Sequence, residues 1–386
     1  MVRWYSCKRL ISCVSLVCRL GKAKFGFVVL GLGYMSINVL DPMVTDDSSS
    51  PAAPLFSVII GSYNDWVPLD NCLASLAQQT DGPSFEVIVV DDGSREEAPL
   101  SVRRWEGSYP LTLLRQAHSG VAAARNRGIQ ISKGSVLVFA DSDCKFQADS
   151  LANLASIIAD SPQHSCFQLR LVGDASTFVG KTEELRLSTL QKHLLQPNGC
   201  IRYLNTAGFA IRRARANTEG FAFEPAAIRA EDTLVLANLM QGGELPFFAA
   251  NSVIQHATSL SLMDYFLKAI WSAYQEGRTY DIIASMGVRV RANHRERLGM
   301  FSSMWKRSEQ QSIGRSACLM LAARQFLRLM TSFLYRFLHG TVQLSHLDNL
   351  FLEDASSRRL SALALPNRAR IEISDRLTPG YQTKAR

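Results

Sequence analysis

Short apolar runs rich in β-branched residues alternate with amphipathic stretches through the middle of the chain. Buried strands are predicted at 56–63, 85–90, 111–114 and 135–140. The stretches between them, at 67–79, 96–105 and 119–130, have apolar residues at helical spacing, and Ser119 is placed to cap the third. This alternation predicts an α/β fold whose sheet is mostly parallel and joined by right-handed crossovers.

Polar side chains follow three of the predicted strands where each strand ends. They are Ser62, Tyr63 and Asn64 at the end of the first strand, Asp91 and Asp92 after the second, and Asp141 and Asp143 after the fourth. The carboxyl ends of parallel strands lie at one edge of a sheet, so we expect these groups to surround one ligand. The oxygens of Asp141 and Asp143 suit a hard cation, Mg²⁺ or Mn²⁺, that is shared with substrate phosphates.

Each acidic pair also has a purely structural interpretation. An Asp-Ser-Asp turn can cap the following helix, and the sequence DDGS at 91–94 is typical of a type I turn. Because Asp91 and Asp92 are adjacent, both carboxylates stay ionised only if a hydroxyl or another donor lies near them. The convergence of three strand ends, rather than either pair alone, favours a binding site.

Further candidates lie elsewhere in the middle of the chain. In the sequence ARNRG, Arg125 and Arg127 occupy different helix faces, and we expect Arg125 to face the cleft and contact a phosphate or a base. Glu231 and Asp232 precede an amphipathic helix. They provide either a general base or acidic groups that the helix dipole stabilises in the first turn. His256 follows a strand-like piece and is a candidate metal ligand.

Composition limits the partner and the compartment. Lys and Arg number 42 against 34 Asp and Glu, a formal net charge of +8, and the cations are concentrated before residue 41 and between 290 and 340. Basic ends favour an anionic membrane surface, and we expect no nucleic-acid partner because no basic stretch has interleaved aromatic residues. The eight cysteines form no CxxC pair, which indicates a reducing compartment. We therefore expect a cytoplasmic protein, at the cytoplasmic face of any membrane that it contacts.

Five segments are predicted along the chain. They are a basic and apolar N-terminal segment at 1–45, a polar linker at 46–55, the α/β domain at 56–260, a helical extension at 261–345 and a polar tail at 346–386. The apolar run at 25–40 is short for a membrane span. We expect it either to lie on a membrane surface or to precede the true start of the protein.

The helical extension carries a basic stripe. Arg324, Arg328, Ser332 and Arg336 recur every four residues in the helix predicted at 314–340, with Leu, Phe and Met between them. Such a stripe suits a helix that lies in a membrane interface. The alternative is a helix that packs on the α/β domain.

Five motifs carry a resemblance to a known enzyme family. In chain order they are FSVIIGSYN, EVIVVDDGS, HSGVAAARNRGI, VLVFADSD and AED. In order and spacing they resemble the family 2 glycosyltransferases of the GT-A fold, over about residues 56–260. The resemblance implies transfer of a sugar, with inversion, from a nucleotide-diphosphate sugar, with a UDP-sugar as the expected donor. The acceptor would be a glycan, a lipid-linked molecule or a protein, in cell-envelope or other glycan and glycolipid biosynthesis.

The resemblance also implies a role for each candidate residue. Ser62, Tyr63, Asn64, Asp91, Asp92, Arg125 and Asp141 would hold the nucleotide, and Asp143, Asp141 and His256 would bind Mn²⁺ or Mg²⁺. Asp232, or failing it Glu231, would be the catalytic base. Processive members carry a Q-x-x-R-W element after the base, and the chain has none, so we expect a non-processive enzyme.

Two other interpretations stay open. A metal-dependent nucleotidyltransferase also combines a metal, a nucleotide and an α/β sheet, but it would want a basic, Gly-rich phosphate loop, and GSYNDW after the first strand has no Lys or Arg. A catalytically inactive domain could bind sugar nucleotides or a membrane. The presence of both Asp143 and Asp232 counts against that second interpretation.

Overall fold

The computed structural model describes residues 53–339 except 219, 257–259, 291 and 311–312. The predicted N-terminal segment at 1–45, most of the linker at 46–55 and the polar tail at 346–386 lie outside the described residues. The described chain begins with the α/β domain and ends with the helical extension.

Eight strands form one sheet within the described residues. They are β1 (Phe56–Ser62), β2 (Phe85–Asp91), β3 (Leu111–Arg115), β4 (Val136–Asp141), β5 (Cys144–Phe146), β6 (Cys166–Gly173), β7 (Phe209–Arg212) and β8 (Phe247–His256). Their order across the sheet is β3-β2-β1-β4-β7-β6-β8-β5. The pairs among β3, β2, β1 and β4 are parallel, as predicted, and β6 is parallel to β8. The short strands β7 and β5 run antiparallel to their neighbours, so the sheet is mostly parallel but mixed.

Ten α-helices accompany the sheet in the described part of the chain. They are α1 (Trp66–Ala77), α2 (Leu100–Arg103), α3 (Val121–Ile131), α4 (Ser150–Asp160), α5 (Phe178–Leu194), α6 (Arg213–Thr218), α7 (Glu231–Gln241), α8 (Leu262–Ser285), α9 (His294–Gln310) and α10 (Arg315–His339). Short 3₁₀ turns lie at Arg104–Gly107 and Thr206–Gly208. The helix predicted at 96–105 is shorter than expected, because Pro99, in an extended conformation, precedes α2.

Helices cover both faces of the sheet. Side chains alternate along a strand, so Val58 and Ile60 of β1 join a core with α1 and α4, whereas Ile59 joins a core with α7. Burial on both faces explains why these strands read as continuous apolar runs.

Helix α3 lies close against β1. A side chain at Gly128 would place its Cβ 2.4 Å from Cγ2 of Ile59, so only glycine allows this approach. Ser119 does not cap α3 as predicted: Gly120 occupies the N-cap position with φ of 90°, and Ser119 Oγ donates instead to the Ala117 carbonyl. The close contact of α3 with β1 brings Arg125 to the edge where the strands end.

The C-terminal helices correct the expectation for the basic stripe. Arg328 forms an ion pair with Glu276 of α8 at 2.5 Å, and the Arg324 guanidinium carbon lies 5.3 Å from the centre of the Tyr265 ring. The two arginines thus face the protein rather than an external surface. The exposed face of α10 is apolar and includes Phe326, Phe333 and Phe337, each more than 60% exposed.

One helix within the described residues, Arg315–Leu338, is long and apolar enough to cross a membrane by length and composition alone.

Candidate active site

One large cavity opens at the carboxyl ends of β1 and β4 and extends to the C-terminal helices. Its volume is about 2470 Å³. Predicted site residues that line it are Ser62, Tyr63, Asp92, Arg125, Asp141, Asp143, Glu231, Asp232 and His256. Three separate stretches of sequence that were predicted to converge therefore face one space.

A candidate metal centre lies at the end of β4. The chain turns between Asp141 and Asp143 and continues as β5, which pairs antiparallel with β8 so that Cys144 is opposite His256. His256 Nε2 lies 3.4 Å from Asp143 Oδ1 and 3.9 Å from Asp141 Oδ2, and one ligand atom from each residue fits within 4.8 Å of the others. Two carboxylates and an imidazole are a donor set that suits Mn²⁺ or Mg²⁺. The Asp-Ser-Asp turn does not cap a helix, since β5 follows it.

The two carboxylates of this centre differ in their surroundings. Burial raises the pKa of Asp141, but the positive charge of Arg125, followed by that of His256, outweighs it and holds this pKa below its ordinary value. Burial also raises the pKa of Asp143, and there it prevails over the opposing charge of His256. Within the described residues, His256 is the only ion-pair partner of Asp143. A bound cation would supply Asp143 with the compensation that Asp141 already receives from Arg125.

Arg125 is the side chain that joins the metal centre to α7. It is only 2% exposed, and it donates to Asp141 Oδ1 at 2.7 Å and to Glu231 Oε1 at 2.8 Å. The prediction placed Arg125 against the nucleotide. In the structure its two terminal nitrogens bind carboxylates, so Arg125 positions Asp141 and Glu231. Its contact with a phosphate or a base stays a prediction.

Asp232 is better placed than Glu231 to remove a proton. The Glu231 carboxylate is held by Arg125. Within the described residues, Asp232 Oδ1 accepts hydrogen bonds only from the backbone N–H of Thr233 at 2.6 Å and from Thr233 Oγ1 at 3.1 Å. Burial and then the charge of Glu231 raise the pKa of Asp232 to about 7. A carboxylate with a pKa near neutral is matched to general-base work.

An aromatic pair lies at the β1 end of the cavity. The rings of Tyr63 and His118 are 4.2 Å apart between centroids, and both residues line the cavity. Ser62 contributes a buried hydroxyl that has no hydrogen-bond partner within the described residues. An aromatic face beside an unsatisfied hydroxyl suits a planar base with polar edges. Sequence reasoning missed His118, although it begins the HSG motif.

Asp92 organises the loop before α3. Its carboxylate accepts hydrogen bonds from the backbone N–H groups of Ser119 and Gly120 at 2.8 Å and from Gln116 Nε2 at 2.7 Å. His118 Nδ1 also lies 2.8 Å from its Oδ2. The donors expected near the Asp91–Asp92 pair are therefore supplied by the protein.

Asn64 and Asp91, for which a nucleotide-binding role was predicted, do not line the cavity. Asn64 has φ of 56° and binds the loop after β2: its N–H donates to Ser94 Oγ at 2.8 Å, and its Oδ1 accepts from the Arg95 N–H at 2.9 Å. Asp91 accepts from the Ser94 N–H at 2.9 Å. Adjacent side chains on a strand point to opposite faces, so only Asp92 of the acidic pair faces the cavity.

The family model described as glycosyl transferase family 2 matches residues 57–221. Residues 57–221, called the family 2 domain below, are thus similar to glycosyl transferase family 2. The family 2 domain includes the strand ends and Arg125, and it stops before Glu231. The α/β, GT-A type fold that the resemblance implied is confirmed by this match together with the sheet.

Relatives of the family 2 domain are named as glycosyltransferases. An uncharacterized glycosyltransferase of Haemophilus influenzae is 32% identical over 146 residues, 36% of this chain and 48% of that protein. A PGL/p-HBAD biosynthesis glycosyltransferase of Mycobacterium bovis is 37% identical over 112 residues, 28% of this chain and 43% of that protein. The chain thus spans less than half the length of these relatives.

Solved structures of similar shape include the mannosyltransferase PcManGT of Pyrobaculum calidifontis in complex with GDP-Man and Mn²⁺. Its TM-score is 0.48 with 20% identity, covering 82% of this chain and 83% of that one. S. aureus TarS 1–349 in complex with UDP-GlcNAc gives 0.44 with 18% identity, covering 73% and 89%.

Proposed function

We propose that the protein is an inverting, non-processive glycosyltransferase that moves a sugar from a nucleotide-diphosphate sugar to an acceptor hydroxyl. One observation carries the proposal: the candidate metal ligands Asp141, Asp143 and His256 line the same cavity as Asp232. The two carboxylates among these ligands belong to the family 2 domain. The names of the curated relatives support transfer, and one of them is named for PGL/p-HBAD biosynthesis.

The residues divide the work along the cavity. Tyr63 and Ser62 would receive the base, and a divalent cation held by Asp143, Asp141 and His256 would neutralise the developing charge of the diphosphate leaving group. Asp232 would remove the proton from the acceptor hydroxyl, which attacks the anomeric carbon from the face opposite the leaving group. Arg125 would hold Asp141 and Glu231 in place through its two ion pairs.

Binding of nucleoside diphosphates tests the donor and the metal together. Calorimetry with UDP and with GDP is expected to show binding that is strengthened by Mn²⁺, and UDP is tested first. In Asp143→Asn the enhancement by Mn²⁺ should disappear, whereas Asp149→Asn, an exposed carboxylate outside the cavity, should behave as the unmodified protein does. Absence of binding by both nucleotides, with and without Mn²⁺, would contradict the proposal.

The reaction product separates this function from the two alternatives. A glycosyltransferase releases a nucleoside diphosphate, a nucleotidyltransferase releases pyrophosphate, and an inactive domain releases neither. Chromatography of the nucleotides after incubation with a sugar-nucleotide mixture and Mn²⁺ distinguishes the three.

We also propose that the exposed face of α10 docks on the surface of a lipid bilayer at the cytoplasmic side, which would favour a lipid-linked acceptor. Seven large apolar side chains of α10 are exposed, namely Leu319, Phe326, Leu329, Met330, Phe333, Leu334 and Phe337. Phe326 and Leu329 also line the cavity, so the apolar face continues into the active site. The inward ion pair of Arg328 favours a helix lying on the bilayer rather than crossing it. The five cysteines in the described residues are free, which is consistent with a cytoplasmic location.

Vesicle sedimentation tests this docking surface. The full chain should sediment with vesicles of phosphatidylcholine and phosphatidylglycerol, and the pair Phe326→Ser and Phe333→Ser should abolish sedimentation. Leu100→Ser removes an apolar side chain that is 83% exposed on α2 and should have no effect. If the same pair of substitutions instead converts a dimer to a monomer without lipid, a second copy of the chain covers this face, and the membrane proposal is wrong.

A further inference from the structure

Arg229 and Lys268 are two cavity-lining cations that form no ion pair with a carboxylate within the described residues. Some other arginines of the cavity wall do form ion pairs, among them Arg186 with Glu183 at 2.7 Å and Arg328 with Glu276 at 2.5 Å. Arg229 and Lys268 line the same cavity, but within the described residues neither side chain makes a hydrogen bond or an ion pair.

Arg229 is fixed in place by an aromatic ring and by its backbone. Its guanidinium carbon lies 4.8 Å from the centre of the Trp271 ring, and its carbonyl accepts a hydrogen bond from Thr279 Oγ1 at 2.7 Å. The next residue, Ala230, has φ of 62°, a conformation that a non-glycine residue adopts only when its surroundings enforce it. The loop before α7 is thus tied to α8 at a defined position, two residues before the Glu231–Asp232 pair.

Lys268 lies on the same wall as Arg229. Lys268 precedes Trp271 by three residues on α8, so the side chains of Lys268 and Trp271 are neighbours on one face of that helix. Burial and then the charge of Arg229 lower the pKa of Lys268, while Asp143 and Asp141 oppose this effect. The two neighbouring cations repel each other, and a bound anion would relieve this repulsion.

We infer that Arg229 and Lys268 form a binding site for an anionic oxygen group, such as a phosphate, of a substrate held beside Asp232. The inference rests on the proposed function and adds to it a pair of residues outside the matched family 2 domain. The anion is either the diphosphate of the donor or an anionic group carried by the acceptor. Arg229 presents planar, paired donors to it and Lys268 a compact charge.

Binding experiments with Arg229→Gln, Lys268→Gln and the double variant distinguish the two sources. If the anion belongs to the donor, affinity for UDP or GDP with Mn²⁺ falls about tenfold or more in each single variant, while affinity for the nucleoside is unchanged. If it belongs to the acceptor, nucleoside diphosphate affinity stays within about twofold, and affinity for inorganic phosphate, measured with the nucleotide site saturated, falls about tenfold.

Matched controls separate a lost contact from a damaged fold. Arg295→Gln and Lys306→Gln remove exposed cations of α9 that do not line the cavity, and they should change neither affinity. Arg229→Lys keeps the charge and should recover part of the affinity that Arg229→Gln loses. Unchanged affinity for both probes in the double variant would overturn the inference, as would an equal loss in the α9 controls.

The inference and the proposed function can fail separately. If neither UDP nor GDP binds to the unmodified protein, the proposed function is wrong, and pyrophosphate alone then tests the cation pair. Pyrophosphate binding that is lost in the double variant supports the anion site in that case, whereas no binding to the unmodified protein overturns it.

Discussion

The sheet edge and the helical extension use charged residues in opposite ways. At the sheet edge, Asp141 and Asp143 face the cavity, and the register of β5 with β8 adds His256 to them. In the extension, Arg324 and Arg328 turn toward the protein and leave apolar side chains outside. A strand end fixes the direction of its polar groups, whereas a charged stripe on a helix only marks one face. Partly buried partners such as Glu276 decide which way that face turns.

The largest expected effect tests whether α7 supplies the general base that acts beside the sheet edge. Asp232→Asn should lower the transfer rate by about 10²–10⁴ while leaving nucleoside diphosphate affinity within about twofold, because general-base catalysis contributes on that scale. Transfer is followed in a steady-state assay, and affinity by calorimetry.

The same variant carries its own control for folding. Because burial raises the pKa of Asp232 from 3.8 to about 7, its contribution to stability is present in full below pH 3.8 and is lost as the pH rises through about 7. Asn resembles the protonated form, so Asp232→Asn should melt at a higher temperature than the unmodified protein at pH 8. Undiminished transfer by this variant would remove Asp232 from the mechanism.

A second substitution tests the buried connection between the metal centre and α7. Arg125→Met should cost about 3 kcal/mol of unfolding free energy, because it leaves Asp141 and Glu231 without their shared counter-ion. Urea denaturation followed by circular dichroism measures the loss. Arg127→Gln, an exposed neighbour on α3, is the matched control and should change the free energy by less than about 0.5 kcal/mol. Equal effects of the two substitutions would contradict the bridging role of Arg125.

The pH dependence of transfer sharpens the assignment of the base. The base acts only when deprotonated, so kcat/KM should rise with pH and level off above about 7. Below that value it should fall about tenfold for each pH unit. If kcat/KM instead stays level between about pH 5 and about pH 8, proton removal belongs to a group other than Asp232.

The smallest effect tests the orientation of α10. Arg328→Gln should cost about 1 kcal/mol because it breaks the partly buried ion pair with Glu276, and a double-mutant cycle with Glu276→Gln should recover that coupling. Arg336→Gln, at an exposed position of the same helix, should cost less than about 0.5 kcal/mol. The reverse ranking in urea denaturation would mean that the basic stripe faces outward after all.

Sequence reasoning succeeded where a local rule fixes direction. The strands β1, β2 and β4 were predicted from apolar runs, and their polar ends from the parallel arrangement, which accounts for Asp92, Asp141 and Asp143. It did not predict α5, whose buried residues lie on several sides of the helix, because a helix surrounded by protein lacks a clear apolar stripe.

Contacts between distant residues were beyond sequence reasoning. Nothing in the ARNRG motif indicates that Arg125 would be shared between Asp141 and Glu231, since a guanidinium binds a phosphate equally well. The diversion of Asn64 to the loop after β2 depends on its left-handed backbone, which periodicity does not reveal. The neighbouring positions of Arg229 and Lys268 likewise follow from the packing of a loop on α8.

The pairing of β5 with β8 has a consequence for folding order. Asp143 and His256 come from distant stretches of the chain, and they meet only after β8 has paired with β5, the edge strand of the sheet. A cation held by both residues would cross-link the ends of a long loop, so its binding would oppose local separation of β5 from β8. Hydrogen exchange of the β8 backbone amides, measured with and without Mn²⁺, would then report metal occupancy without an assay of sugar transfer.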